Sequence, residues 1–161
     1  MDFFMRKSFL GIYASNTLPP LGPHLTSPIG IICNTEESGK EGSHWVLVWA
    51  SPPLITGGKT LVYYIDSLCK SPLSSSKYIA QWLGRFKNSK IMKLQAPIQS
   101  AKSSKLCGLY VLYFLYHLSH GATNLRAIEK HFYRDAKRLK FNDQIVRSFF
   151  WKKFKFHISK L

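Results

Sequence analysis

The alternation of apolar and polar positions changes character near the middle of the chain. In the first half, short apolar runs stand between polar stretches: Ile29–Asn34, Trp45–Ala50 (WVLVWA) and Leu61–Asp66 (LVYYID). Their β-branched and aromatic content reads as strands. Gly57-Gly58 between the last two marks a turn, which makes those runs neighbouring antiparallel strands of a buried sheet. Lys90–Gln95 (KIMKLQ) supplies a further strand candidate. The Pro-rich piece Leu18–Pro28 and the Ser-rich pieces Ser71–Ser76 and Ser100–Ser104 read as loops.

The second half follows a helical period. Tyr78–Lys87 is a modest helix candidate. Cys107–His120 is apolar nearly all round and stops at Gly121, a residue suited to the position just past a helix end. Thr123 or Asn124 can cap a helix that brings Leu125, Ile128, Phe132, Ala136 and Leu139 onto one face. Asn142 can cap another, with Ile145, Val146, Phe149 and Phe150 inward. Strands followed by segregated helices predict an α+β fold: a central, mostly antiparallel sheet packed against helices.

With 161 residues, 45% of them hydrophobic, the chain has the size and content of one domain, residues 1–161, with a core that needs neither disulfides nor a structural metal. Twenty-three Lys and Arg against eight Asp and Glu give a formal charge of +15, which points to an anionic partner, nucleic acid before an acidic membrane surface. Cys33, Cys69 and Cys107 are an odd set without a CxxC pair, which argues against a disulfide framework or zinc site and fits a reducing compartment. The N-terminal MDFFMRKSFLGIY has no long apolar signal core, and the apolar stretch Leu106–Leu118 is too short to span a bilayer. The expectation is a protein that is neither secreted nor membrane-bound.

Four polar residues stand where chemistry would need them. Cys107 sits where the polar SAKSSK segment gives way to an apolar helix, and a helix N-terminus lowers a thiol pKa through its unpaired N–H groups. Gly108 behind it costs helix propensity, which suggests close approach to the backbone. His44 opens the strand Trp45–Ala50, so a rigid element would carry a general base at its rim, with Trp45 as a cleft wall. Asp66 closes the adjacent strand; it either holds the far nitrogen of His44 or starts a turn with Ser67. Gln99, eight residues before Cys107, could donate its amide to an oxyanion. Singly, each has a bland reading: core cysteine, surface histidine, turn aspartate, loop glutamine.

The order GSHW, YYID, Gln, then CGLY at a helix start resembles the Ulp/adenain class of cysteine proteases. FLGIYASNTLP, IICNTEESGKEGSHWVLVWASP and CGLYVLYFLYHLSHG are similar to adenain and its relatives in Polinton/Maverick-type elements and adintovirus- or adomavirus-like viruses. The resemblance covers about residues 9–121; residues 122–161 match only in being helical and basic. It implies an adenain-like fold, Cys107 as nucleophile, His44 as base, Asp66 as orienting acid and Gln99 as oxyanion donor, with Gln95 the alternative because the spacing to Cys107 is one residue longer than in adenain.

The resemblance further implies cleavage of viral or element-encoded capsid and core precursors at small-residue, Gly-containing sites, in a virion or in the nucleus or cytoplasm of a host cell. No cofactor is required for the chemistry. DNA or a peptide would serve as activator, but the cysteine through which adenain binds its activating peptide has no counterpart between Gln81 and Gln99, so a disulfide-linked peptide is not expected. Lys137, Arg138, Lys140, Arg147, Lys152, Lys153 and Lys155 are the candidate DNA contacts. Two other readings stay open: an isopeptidase that removes ubiquitin-like proteins, and a non-enzymatic basic virion core protein.

Overall fold

The computed structural model describes residues 8–22, 25–53, 58–102, 105–122 and 124–155. Five strands form one sheet in sequence order: β1 (Phe9–Ala14), β2 (Ile29–Asn34), β3 (Trp45–Ser51), β4 (Thr60–Ile65) and β5 (Ser89–Lys93). The centre is antiparallel, β2 with β3 and β3 with β4, as the sequence suggests. Both flanks are parallel, β1 with β2 and β4 with β5, so the sheet is mixed. Gly57 of the expected turn lies outside the described residues, but the antiparallel pairing it implied is present.

Period-two alternation sends the strands' side chains to two covered faces. Ile31, Cys33, Val46, Val48, Ala50, Val62 and Tyr64 pack with Ile79, Trp82 and Leu83 of α2 (Lys77–Leu83). Ile32, Leu47, Trp49, Tyr63 and Ile65 pack on the opposite side against α3 (Cys107–Ser119), α4 (Leu125–Glu129) and α5 (Leu139–Phe154). Burying each such aliphatic side chain contributes about 1.5–3 kcal/mol. Because both faces are buried, β3 and β4 read as continuous apolar runs.

Helix α3 lies on β3 and makes the largest helical contribution to the core, including Tyr110, Phe114 and Leu115. It ends as Gly121 predicts. With φ at +94°, Gly121 donates its N–H to Leu118 and lets the Ala122 N–H reach back to the His117 carbonyl.

Several boundaries differ from the sequence reading. Strand β1 has no buried stripe, since Leu10 and Ile12 are exposed and the pairing is irregular between Phe9 and Gly11. The Ser-rich segment contains a short helix, α1 (Pro72–Ser75), because the Ser71 side chain accepts the Ser74 N–H and Pro72 suits the first turn. Helix α2 stops at Leu83, before Gly84. Asn124 caps α4 by accepting the Arg126 N–H, while Thr123 lies outside the described residues. Helix α4 ends at Glu129 instead of continuing to Leu139, and Ala136 is exposed. Asn142 is no cap: it is fully buried within α5, and its side chain binds the Tyr133 backbone that interrupts the expected helix.

Candidate active site

Antiparallel pairing places the start of β3 and the end of β4 at the same end of the sheet, with Leu47 opposite Ile65. His44 immediately precedes β3 and Asp66 immediately follows β4, so chain topology alone brings them together. The loop ahead of His44 is pinned on three sides. Thr35 N–H bonds the His44 carbonyl at 2.9 Å, Ser43 Oγ donates to Glu36 at 2.8 Å, and Ser15 N–H bonds the Glu36 carbonyl at 3.0 Å. Gly42 packs closely there: a Cβ would stand 2.3 Å from Asn34 Nδ2 and would push that side chain aside.

His44 and Asp66 are both buried, and His44 Nε2 lies 2.8 Å from Asp66 Oδ1. The same oxygen accepts the Leu68 N–H at 2.8 Å, while Oδ2 accepts from Ser75 Oγ at 3.3 Å. Asp66 therefore both faces the His44 imidazole and accepts backbone N–H groups of the turn that follows it. With Nε2 committed to Asp66, the other ring nitrogen, Nδ1, is left for Cys107, which hydrogen-bonds His44.

Electrostatics separate the three cysteines. Burial pushes the Cys107 thiol up, but the His44 hydrogen bond, the backbone at Trp45 and Gly108 and the imidazole charge outweigh it, leaving the thiol below its ordinary value. The first turn of α3 contains no acidic residue to oppose that effect. Burial pushes the Cys33 thiol up to about 12, and Cys69 is likewise raised, chiefly by burial. His44 is the converse: burial lowers it, yet its bonds to Asp66 and Cys107 raise it to about 9. Each of Cys107 and His44 shifts the other toward its charged form.

Gln99 is also buried. Its Oε1 accepts a short hydrogen bond from the Ser67 hydroxyl, and the Ile98 and Gln99 N–H groups both donate to the Ser67 carbonyl, at 2.9 and 3.1 Å. Gln99 is thus bound to the residue that follows Asp66. Gln95 is exposed, with its Oε1 taken by Arg134 at 2.8 Å and its N–H by Glu129. Of the two glutamines, Gln99 is the buried one and is bonded to Ser67.

Trp45 is half-buried, and a Cβ added to Gly108 would touch only its Cδ1, at 3.8 Å. Nothing within the described residues demands glycine at 108, which leaves room there for an external backbone. A cleft of about 360 Å³ opens on Trp45, bordered by Ile12 and Tyr13 on one side and Glu36 and Lys40 on the other. A larger cavity of about 560 Å³, reached by Pro53, Thr60 and Phe86, touches none of these residues.

The candidate nucleic-acid contacts fall into two clusters. Lys137, Arg138 and Lys140 are exposed at the start of α5, and Lys152, Lys153 and Lys155 at its end, with Arg147 half-buried between them. Arg138 pairs with Asp135 and lies over the Tyr133 ring, and Lys140 lies over Phe141. Among the interleaved aromatics, Phe150 is buried and Phe149 packs on the core, while Trp151 is exposed. His157 lies outside the described residues.

Sequence reasoning missed the bonds of Ser67 to Gln99 and of Ser75 to Asp66, since nothing in the local pattern marks them. Among the described residues there is no cluster of three or more His, Cys, Asp and Glu able to hold a metal ion, and no helix long and apolar enough to cross a membrane.

No family model matches the chain, and no curated protein does. Solved structures similar to it include the pS273R protease of ASFV, at 20% identity and a TM-score of 0.46, covering 72% of this chain and 43% of that one. They also include the Rickettsia bellii effector RickCE, at 17% identity and 0.46, covering 80% and 46%. A third is the central domain of Legionella pneumophila Lpg1148, described as uncharacterized, at 12% identity and 0.47, covering 91% and 88%. The chain spans less than half the length of the first two.

Proposed function

We propose that this chain is a cysteine endopeptidase of the adenain type, in which Cys107 is the nucleophile, His44 the general base and acid, Asp66 the orienting carboxylate and Gln99 the oxyanion donor. One observation carries the reading: His44 is held by Asp66 through Nε2 and shares its remaining side with a Cys107 of lowered pKa. In the reaction, the Cys107 thiolate adds to a peptide carbonyl carbon and the C=O electron pair moves to oxygen, where the Gln99 amide and the Cys107 backbone N–H receive it. The His44 imidazolium gives its proton to the departing amine as the C–N bond breaks, leaving a thioester. His44 then takes a proton from the water that attacks this thioester, and the thiolate is released.

The open space above Gly108, beside Trp45, suits a substrate strand with small residues at the scissile bond. Capsid and core precursors of a virus or mobile element are the substrates we propose, with DNA as a track or activator held by the exposed lysines of α5. Virion and host nucleus or cytoplasm are the corresponding compartments. A peptide activator, where one exists, would bind without a disulfide.

Cleavage of a Gly-containing peptide library by wild type and Cys107→Ala, with and without DNA, tests the reading. Activity that vanishes in the variant supports it, and no cleavage by wild type under any condition, together with an unreactive Cys107, overturns it. Replacing Lys140, Lys152, Lys153 and Lys155 together should abolish salt-sensitive DNA binding in an anisotropy titration while leaving Cys107 reactivity intact.

A further inference from the structure

Among the described residues of the C-terminal third, Asn142 is a heavily committed polar side chain. It is fully buried and makes three hydrogen bonds to backbone. Its Oδ1 accepts the Tyr133 N–H at 2.9 Å, while Nδ2 donates to the Tyr133 carbonyl at 2.7 Å and to the Ile98 carbonyl at 2.8 Å. Ile98 directly precedes Gln99. On the other side of the same dipeptide, Ser67 receives both backbone N–H groups on its carbonyl and donates its hydroxyl to Gln99 Oε1. The Ile98–Gln99 segment is therefore clamped from two directions: by Ser67, next to Asp66, and by Asn142, from α5.

These bonds have a chemical consequence. The Ser67 hydroxyl on Oε1 tethers the end of the Gln99 side chain, and in this arrangement its N–H₂ end is the one turned away from Ser67. A donor fixed before reaction contributes to transition-state stabilisation without reorganisation. Asn142 does the same for the backbone that carries it.

We propose that Asn142 and Ser67 are positioning residues that hold the Gln99 amide ready for the oxyanion, making the basic C-terminal third a working part of the catalytic site. The proposal rests on Gln99 as the oxyanion donor.

The experiment uses two thiol reagents on the full chain. A peptide aldehyde whose sequence comes from a cleaved peptide captures Cys107 as a thiohemiacetal: the S–C bond forms and the carbonyl oxygen takes the negative charge. A chloroacetamide alkylates Cys107 by displacing chloride and generates no oxyanion on its carbonyl. Gln99→Ala serves as the reference for loss of the donor. Asn142→Ala and Ser67→Ala should each bind the aldehyde at least tenfold more weakly than wild type and lower kcat with little change in KM. Their alkylation rates should stay within about twofold, and adding either change to Gln99→Ala should cost little more.

Parallel losses toward both reagents would mean that the two residues only stabilise the fold, and would overturn the proposal. A folded Ser67→Ala protein with wild-type aldehyde affinity would overturn it whatever Asn142→Ala does. Wild-type aldehyde affinity in Gln99→Ala instead refutes Gln99 as donor, and the proposal falls with that assignment while Cys107 and His44 remain tested separately.

Discussion

Asp66→Asn removes the charge opposite His44 and leaves the shape nearly unchanged. Bonding to Asp66 is the largest influence holding the imidazolium, against a burial penalty that acts the other way. Raising His44 from 6.5 to about 9 amounts to about 3 kcal/mol at ~1.4 kcal/mol per pH unit. Assigning at least half of that to the carboxylate, about 2 kcal/mol, the variant should lose roughly thirtyfold in the equilibrium constant for the thiolate–imidazolium pair, a loss that reaches kcat/KM in full only at pH above about 9. The alkaline limb of the pH–rate profile, set by His44 losing its proton, should move toward acid by about one unit or more.

The stability of the fold should follow the same group. A histidine whose folded pKa is raised stabilises the fold in full below its unfolded value of 6.5, and this contribution is lost as pH rises through about 9. Thermal melts of wild type should therefore fall between those values more steeply than melts of Asp66→Asn. Rates of Cys107 alkylation and peptide cleavage measured from pH 5 to 10 decide the matter. An alkaline limb that stays in place in the variant would refute the account of the site, because His44 would then owe its charge to something other than Asp66.

Three further outcomes follow from the geometry. Under limiting iodoacetamide at neutral pH, peptide mapping should find Cys107 labelled first and Cys33 last, since burial alone governs Cys33 while Cys107 is lowered; equal labelling would contradict this. Gly108→Ala should melt at or above the wild-type temperature, because the new methyl meets only Trp45 at 3.8 Å and Ala favours helix, yet kcat/KM should drop at least tenfold as the methyl enters the substrate's space. Gly30→Ala should cost about 1–3 kcal/mol in denaturant titration, since its Cβ would stand 2.7 Å from the Trp49 ring and 3.2 Å from Leu115. An unchanged midpoint would mean that Trp49 has somewhere else to go.

What was legible in the sequence was whatever leaves a local trace. WVLVWA and LVYYID are unbroken because both faces of β3 and β4 are covered, and GSHW and YYID mark strand ends because a polar residue stops each run. Strand β1 left no such trace: Leu10 and Ile12 face outward and Gly11 interrupts the run, so neither period nor burial distinguishes it from a loop. The end of α4 was hidden for a different reason. Leu125, Ile128 and Phe132 satisfy a helical period, but the chain leaves the helix before Phe132, and Asn142 holds the Tyr133 backbone that follows. The supports of Gln99 come from 32 residues away in the case of Ser67 and, through Ile98, 44 residues away in the case of Asn142. Periodicity reports only on neighbours, so such contacts are invisible until the fold assembles them.

The choice between an enzyme and a basic binding module turns on what it costs to bury His44 and Asp66. Removing a carboxylate and an imidazole from water costs several kcal/mol per charge, and apolar residues of similar volume would often stabilise the fold as well or better. A module that only binds polyanions gains nothing from this pair, because its attraction depends on exposed lysines, and α5 already presents those at both ends. The pair is also not isolated: it stands beside the one cysteine of lowered pKa, while the other two are raised. A fold under selection for stability alone has no reason to put a buried carboxylate–imidazole pair against its one thiol of lowered pKa. Thiol chemistry would supply one, because an imidazolium stabilised by the carboxylate favours ionisation of Cys107.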